Sequence, residues 1–195
     1  MTFTGEERID LQRNMDIIET PVSRERVFDG LIIHVDRAMY RLPNGAVKPR
    51  EIAVHPGASA VVAVDGEGMV TLVRQFRAAL DRVTLEIPAG KLDAPVEDRL
   101  DAARRELSEE TGLKAAKWTH LTDMASTPGF CSEVISIYLA EELSQGETHP
   151  DDDEFLNVIR MPLEEACKRV MDGEIGDSKT ICGLLMARSV LAARV

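Results

Sequence analysis

Long apolar runs, aromatic rings and positive charge are all scarce in this chain of 195 residues. No stretch approaches the roughly 18 apolar residues that a membrane span requires. The first twenty positions mix acids and bases where a secretory leader would need an apolar core. No membrane association is expected, and the expected location is the cytoplasm. The three cysteines, Cys131, Cys167 and Cys182, are odd in number and lack metal-site spacing, which suits reduced thiols better than a disulfide frame. Aromatics are limited to five Phe, two Tyr and one Trp, and 23 Lys and Arg face 34 Asp and Glu, a formal net charge of −11. That balance argues against nucleic acid as a partner, whose recognition needs basic stripes and stacking rings. An anionic ligand would need a bridge to so acidic a surface, and a divalent cation is the simplest one.

What the chain does have is 44% hydrophobic and 29% charged residues, enough for one packed domain with a short N-terminal appendage. Residues 1–25 are too polar to assign. Gly30 to Val35 alternates Leu31, Ile33 and Val35 with Ile32 and His34 and reads as a strand before a turn at Pro43, Asn44 and Gly45. Ile52 and Val54 resume the alternation, which makes a small antiparallel unit over residues 1–55. Ala58 to Val64 and Met69 to Val73 read as a hairpin joined by Asp65, Gly66, Glu67 and Gly68. Further strands are expected at Val83 to Ile87, Trp118 to Met124, Val134 to Ala140 and Phe155 to Met161. Pro162 and Gly173 bracket one helix, and Asp177 or Ser178 can cap the last. Antiparallel strands interrupted by a few helices place the chain in the α+β class, with the main domain over residues 56–195.

Pro95 to Thr111 reads as a helix that Gly112 stops. Leu100, Ala103 and Leu107 form its buried stripe, and Glu106, Glu109 and Glu110 fall within an arc of roughly 100° beside it. The arrangement works against the helix. Glu109 and Glu110 sit in the last turn, where the macrodipole disfavours each by roughly 0.3–1 kcal/mol. Glu106 and Glu110 are a like-charge i, i+4 pair, unfavourable by roughly 0.2–0.5 kcal/mol. Arg105, one turn before Glu109, offers partial relief. A bound divalent cation would offset the whole cost, since hard cations take clustered carboxylate oxygens. The bland reading of such a run is a solvated acidic face.

The whole string GKLDAPVEDRLDAARRELSEETGL, Gly90 to Leu113, decides against the bland reading. It resembles the signature of the Nudix hydrolases, with Glu97, Arg105, Glu106, Leu107, Glu109, Glu110, Gly112 and Leu113 in matching places. Six residues separate Gly90 from Glu97 where the family usually has five, and the extra one falls near Pro95, before the helix. The resemblance implies an α/β/α sandwich with a mixed sheet from about residue 56. It implies that Glu106, Glu109 and Glu110, with the carbonyl of Ala89, bind Mg²⁺ or Mn²⁺, two or more ions, and that Glu97 and Arg105 form a structural pair. The segments RVFDG, LPNG, REIAVHPG, VRQFRAALD, LEIPAGKLD, STPGFCSE and DDDEF resemble the ADP-ribose pyrophosphatase branch, whose members cleave ADP-ribose to AMP and ribose 5-phosphate.

By that resemblance Arg77 and Arg50 hold the phosphates or terminal ribose of a small nucleotide substrate, a task for which the guanidinium fork is suited. Their bland readings are a salt bridge from Arg77 to Asp81 or Glu86 and a solvated strand end at Arg50. Phe28 matches a position that stacks on adenine, although a lone Phe in a strand is more often core. The acidic run Asp151, Asp152, Asp153 and Glu154 matches a loop that supplies a general base, with Glu154 favoured and Asp153 and Asp152 behind it. Glu133 is a candidate for supporting the site. The N-terminal unit is expected to make a homodimer, as in that branch. Two other outcomes stay open: a Nudix-fold regulator that binds ADP-ribose without cleaving it, and a hydrolase of another nucleoside diphosphate derivative. His34, His55, His120 and His149 show no ligand spacing.

Overall fold

The computed structural model describes residues 17–31, 33–94, 96–146 and 155–194. They divide into two compact units, one running to His55 and joined by Gly129–Ser132, the other holding Pro56–Pro128 and the chain from Glu133 onward.

The first unit is a three-stranded antiparallel sheet of β1 (Thr20–Asp29), β2 (His34–Arg41) and β3 (Val47–Val54), in that order. The expected turn at Pro43, Asn44 and Gly45 joins β2 to β3: Gly45 takes a φ of 85°, and the Asn44 side chain accepts the Ala46 amide at 3.1 Å. The expected strand at Gly30–Val35 is displaced. The Gly30 amide donates to the Ile33 carbonyl at 3.0 Å, so this segment turns between strands and β2 begins at His34. Its apolar alternation reflects exposed Leu31 and Ile33 rather than a buried face. β1 escaped the pattern for the opposite reason. All ten of its residues are exposed, so it has no apolar period. It is held by its ladder to β2 and by Arg24 and Arg26, which both pair with the nearly buried Asp36. Within this unit the Ala53 amide donates to Phe130 and the Ala53 carbonyl accepts from Ser132, which ties residues 129–132 alongside β3.

The second unit is the α/β/α sandwich. Its mixed sheet runs β10 (Leu156–Pro162), β5 (Met69–Arg77), β4 (Ala58–Val64), β9 (Val134–Gln145) and β8 (Leu113–Ala125), with β6 (Arg82–Glu86) on β5 and β7 (Ala89–Lys91) on β4. Only β4 and β9 pair in parallel. Every residue of β4 is buried, and its period of two supplies both layers. Val61 and Ala63 meet Ala103 and Leu107 of α1 (Arg99–Thr111) on one face. Ala60, Val62 and Val64 join Leu72, Ile87, Ile137 and Leu139 on the other, beneath α2 (Leu163–Met171) and α3 (Ser178–Ala192). Gly183 lets α3 approach β4, since a Cβ there would meet the Val62 side chain at 2.9 Å.

The signature helix starts at Arg99, four residues later than expected. The Asp98 carboxylate accepts the amides of Leu100 and Asp101, so it caps the helix in place of an earlier start. Pro95 lies outside the described residues, as do Ile32 and His149. Gly112 ends α1 with φ 69° and its amide on the Ser108 carbonyl. Pro162 caps α2 from outside rather than sitting in its first turn, and Asp177 caps α3. No helix among the described residues is long and apolar enough to cross a membrane. All three cysteines are free thiols.

Candidate active site

The stripe of Ala103 and Leu107 fixes the rotation of α1, and that rotation decides where its acids go. Glu106 and Glu110, one turn apart, fall toward β7 and are buried to 7% and 3% exposure, while Glu109 stays partly open. Carboxylates buried side by side need cations or donors around them. The Ala89 amide donates to Glu110 Oε2 at 3.3 Å. Glu106 reaches β7 at Gly90, where any Cβ would overlap its carboxylate. The signature glycine is therefore a space requirement of the site.

Arg105 supplies the positive charge. Its Nη1 donates to Glu106 at 2.7 Å and to Glu109 at 3.1 Å, its Nε to Glu97 at 3.3 Å, and its Nη2 to the Lys91 carbonyl at 3.2 Å. Burial pulls its pKa down, but Glu97, Glu106 and Glu109 outweigh that and raise it above the ordinary value. The Asp93 amide and then Arg105 hold the Glu97 carboxyl below its ordinary range. The Glu97–Arg105 pair thus forms despite the extra residue between Gly90 and Glu97. Among the described residues no three acidic or metal-binding side chains are gathered closely enough to share one ion in this arrangement. The donors nevertheless suit a hard divalent cation: all are oxygens, two carboxylates are nearly buried, and Gly90 leaves them room.

A second charged cluster forms around Glu86, the last residue of β6. Arg77 makes a two-pronged bond to Glu86, Nε to Oε1 at 2.8 Å and Nη2 to Oε2 at 2.7 Å. This is one of the two salt bridges considered for it from the sequence. Glu86 also receives the Thr84 hydroxyl at 2.6 Å and the Lys179 ammonium from α3. Burial alone would raise the Glu86 pKa; Arg77 and Lys179 reverse this and lower it to about 2. The pKa of Arg77 is raised, chiefly by its bonds to Glu86 and also by the charges of Asp177 and Glu110, which puts the cluster within electrostatic reach of the carboxylate helix.

Sequence reasoning missed Glu86, Lys179 and Asp177 as a network. The available signal was a lysine two places after a capping aspartate, at the head of a helix whose later core positions, Gly183, Leu184 and Ala187, are apolar. Arg50 and Phe28 belong to the three-stranded unit. Arg50 pairs with Glu19 through both ends of its fork, with Nε to Oε2 at 3.0 Å, and Phe28 is 57% exposed rather than core. Glu133 is half-buried, and its carbonyl accepts the Ser126 amide at 3.3 Å. Asp151, Asp152, Asp153 and Glu154 lie outside the described residues.

Comparison with known proteins matches the NUDIX domain to residues 53–182. The chain is similar to the ADP-ribose pyrophosphatase of Bacillus subtilis (strain 168), 44% identical over 83% of this chain and 88% of that one. It is 39% identical to the methanol dehydrogenase activator of Bacillus methanolicus, over 84% and 89%. The ADP-ribose pyrophosphatase of Mycobacterium tuberculosis (strain ATCC 25618 / H37Rv) is 37% identical over 87% and 83%. A solved structure described as an ADP compounds hydrolase superposes with a TM-score of 0.79 at 24% identity, covering 90% of this chain and 95% of that one, and shares its fold.

Proposed function

Because this chain belongs to the Nudix family, we propose that it hydrolyses the pyrophosphate bond of ADP-ribose, or of a related nucleoside diphosphate sugar, yielding AMP and ribose 5-phosphate in the first case. The observation that carries this reading is the burial of Glu106 and Glu110 against Ala89 and Gly90, with Arg105 donating to Glu106. In water-accessible metal chemistry such a pair of acids is a cation seat.

Glu106, Glu109, Glu110 and the carbonyl of Ala89 would hold the metal, Mg²⁺ or Mn²⁺, in two or more positions. A bound divalent ion would supply neutralisation of the diphosphate and a water acidic enough to attack phosphorus. The chain's own residues supply the rest. Glu109, which accepts from Arg105 here, would be a ligand of that ion, and Arg105 keeps Glu97 and the head of α1 in place. Arg77 turns the unbonded edge of its guanidinium to the substrate phosphate. A carboxylate from the acidic run, Glu154 or Asp153, takes the proton from water as the new P–O bond forms and the bridging P–O bond breaks. Glu133 supports the site. Arg50 and Phe28 contact the distal ribose and the adenine.

The first unit acts as a dimerisation element in this reading. The three-stranded sheet leaves Val22, Val27 and Phe28 of β1 exposed, and a second copy would cover them. The location proposed is cytoplasmic.

Incubation with ADP-ribose and Mg²⁺ tests the activity through release of AMP. Glu110→Gln is expected to abolish release while the melting curve stays that of a folded protein; full activity in that variant would overturn the metal assignment. Parallel assays of UDP-glucose, GDP-mannose, NADH and diadenosine polyphosphates set the substrate. One relative is named as an activator of another enzyme, which favours a second reading of a nucleotide-binding regulator. The intact set of signature glutamates weighs against it, and a regulator that does not cleave would release no AMP.

A further inference from the structure

Four charged side chains meet where β6 runs into α3. Glu86 is 2% exposed and Lys179 8%. The Lys179 ammonium donates to Glu86 and to Asp177, the latter at 3.0 Å. Asp177 in turn accepts the Thr180 amide at 3.0 Å and its hydroxyl at 2.6 Å, while the Ile87 amide donates to the Thr180 hydroxyl at 2.9 Å. The circuit therefore locks the end of β6 to the first turn of α3 through both main chain and side chain. Two positive and two negative groups balance.

Stability alone does not call for this arrangement. Well-packed apolar residues in place of a buried ion pair are often as stable or more so, because desolvation consumes most of the Coulombic gain. What ion pairs supply that apolar contacts do not is direction. Only one member of the set reaches well into solvent: Arg77, whose side chain is 39% exposed. Glu86 engages Arg77 through Nε and one N–H of Nη2, and the rest of the guanidinium makes no other hydrogen bond among the described residues. Arg77 has several side-chain torsions that, left loose, must be ordered at each binding event, which weakens binding. A Glu86 carboxylate that is itself fixed removes that cost before substrate arrives.

We propose that Lys179 is a positioning residue for the pyrophosphatase site: it fixes Glu86, which holds the Arg77 guanidinium plane with its free edge presented to a phosphate of the nucleoside diphosphate. The proposal rests on the reading of Arg77 as a substrate contact. Lys179 itself touches no reacting atom, and its ammonium donates to the two carboxylates.

The test is a double-mutant cycle on steady-state kinetics with ADP-ribose and saturating Mg²⁺, using Lys179→Met, Arg77→Met and the double variant. Lys179→Met is expected to raise KM about tenfold with kcat changed less than about threefold, the pattern of a lost binding contact. In the Arg77→Met background the same change is expected to leave KM where Arg77→Met alone puts it, because the residue it acts through is gone. Lys179→Arg is expected to recover part of the loss. Thermal melts accompany each variant, and Lys179→Gln, which keeps a donor without the charge, takes the place of Lys179→Met if the latter does not fold. An unchanged KM in Lys179→Met alongside a raised KM in Arg77→Met would overturn the proposal and leave the substrate reading intact. A full Lys179 effect in the Arg77→Met background would overturn it as well. An unchanged KM in Arg77→Met would instead overturn the reading of Arg77.

Discussion

Gly90→Ala separates what the carboxylate site needs from what the fold needs. Gly90 is paired with Ser59 of β4, and it does not use the left-handed backbone region that would bar alanine. The replacement therefore costs the backbone nothing, and reduced freedom of the unfolded chain would by itself stabilise by about 0.4–1 kcal/mol. The added methyl, however, lands on the Glu106 carboxylate. To regain an ordinary carbon contact of about 3.5–4 Å the carboxylate must retreat by about 1 Å or more. Glu106 is the far end of a flexible side chain, so the retreat costs stability only about 1 kcal/mol, which the entropy gain nearly cancels. A metal site tolerates displacements of only about 0.2 Å, and a misplacement of about 1 Å at a reacting centre costs about 10²-fold in rate. The expected outcome is a melting temperature within about 4 °C of the parent, an AMP release rate at low Mg²⁺ down about 100-fold, and a Mg²⁺ dependence shifted to higher concentration. Melting curves and rates across a Mg²⁺ series measure all three. A Gly90→Ala protein that keeps the parent's Mg²⁺ dependence would show that Glu106 holds no catalytic ion.

Other expectations follow from the same contacts. The Glu86 pKa, lowered from 4.5 to about 2, makes the ionised form part of the folded state. The stability it contributes, about 3 kcal/mol, is present above pH 4.5 and is lost as pH falls from 4.5 toward 2. Urea unfolding across that window should show the decline, and Glu86→Gln should flatten it. Leu107→Ala empties a fully buried position between α1 and β4 and should cost about 2–5 kcal/mol in the same assay. Asp98→Ala removes the two side-chain bonds that begin α1 and should cost about 0.5–2 kcal/mol, with the loss seen first in exchange protection of the helix's first turn. Chelation with EDTA should abolish AMP release, and added Mg²⁺ or Mn²⁺ should restore it; undiminished turnover in EDTA would remove divalent ions from the reaction.

The signature helix was legible in the residues because its information is local. Leu107, Ala103 and Gly112 set its face and its end, and the acids take their places relative to that face by helical geometry alone. β4, β5, β9 and β10 were legible for a related reason: strands buried on at least one face carry an apolar pattern. β1 was not, because an edge strand with every residue exposed leaves no such pattern, and the turn at Gly30–Ile33 was misplaced because exposed Leu31 and Ile33 imitate one.

The residues by themselves therefore determined the α+β class and the carboxylate helix with its stop at Gly112, while the family resemblance implied the Glu97–Arg105 pair. Only the tertiary structure decided that Gly90 must be glycine, since the clash it avoids comes from a side chain sixteen positions away on another element. Only it joined Arg77, Glu86, Lys179 and Asp177, because a contact between a strand and a helix 93 residues apart in sequence has no periodicity to announce it. Such pairings arise when separate elements bury polar groups at the same place, and the partners then have to be found in space.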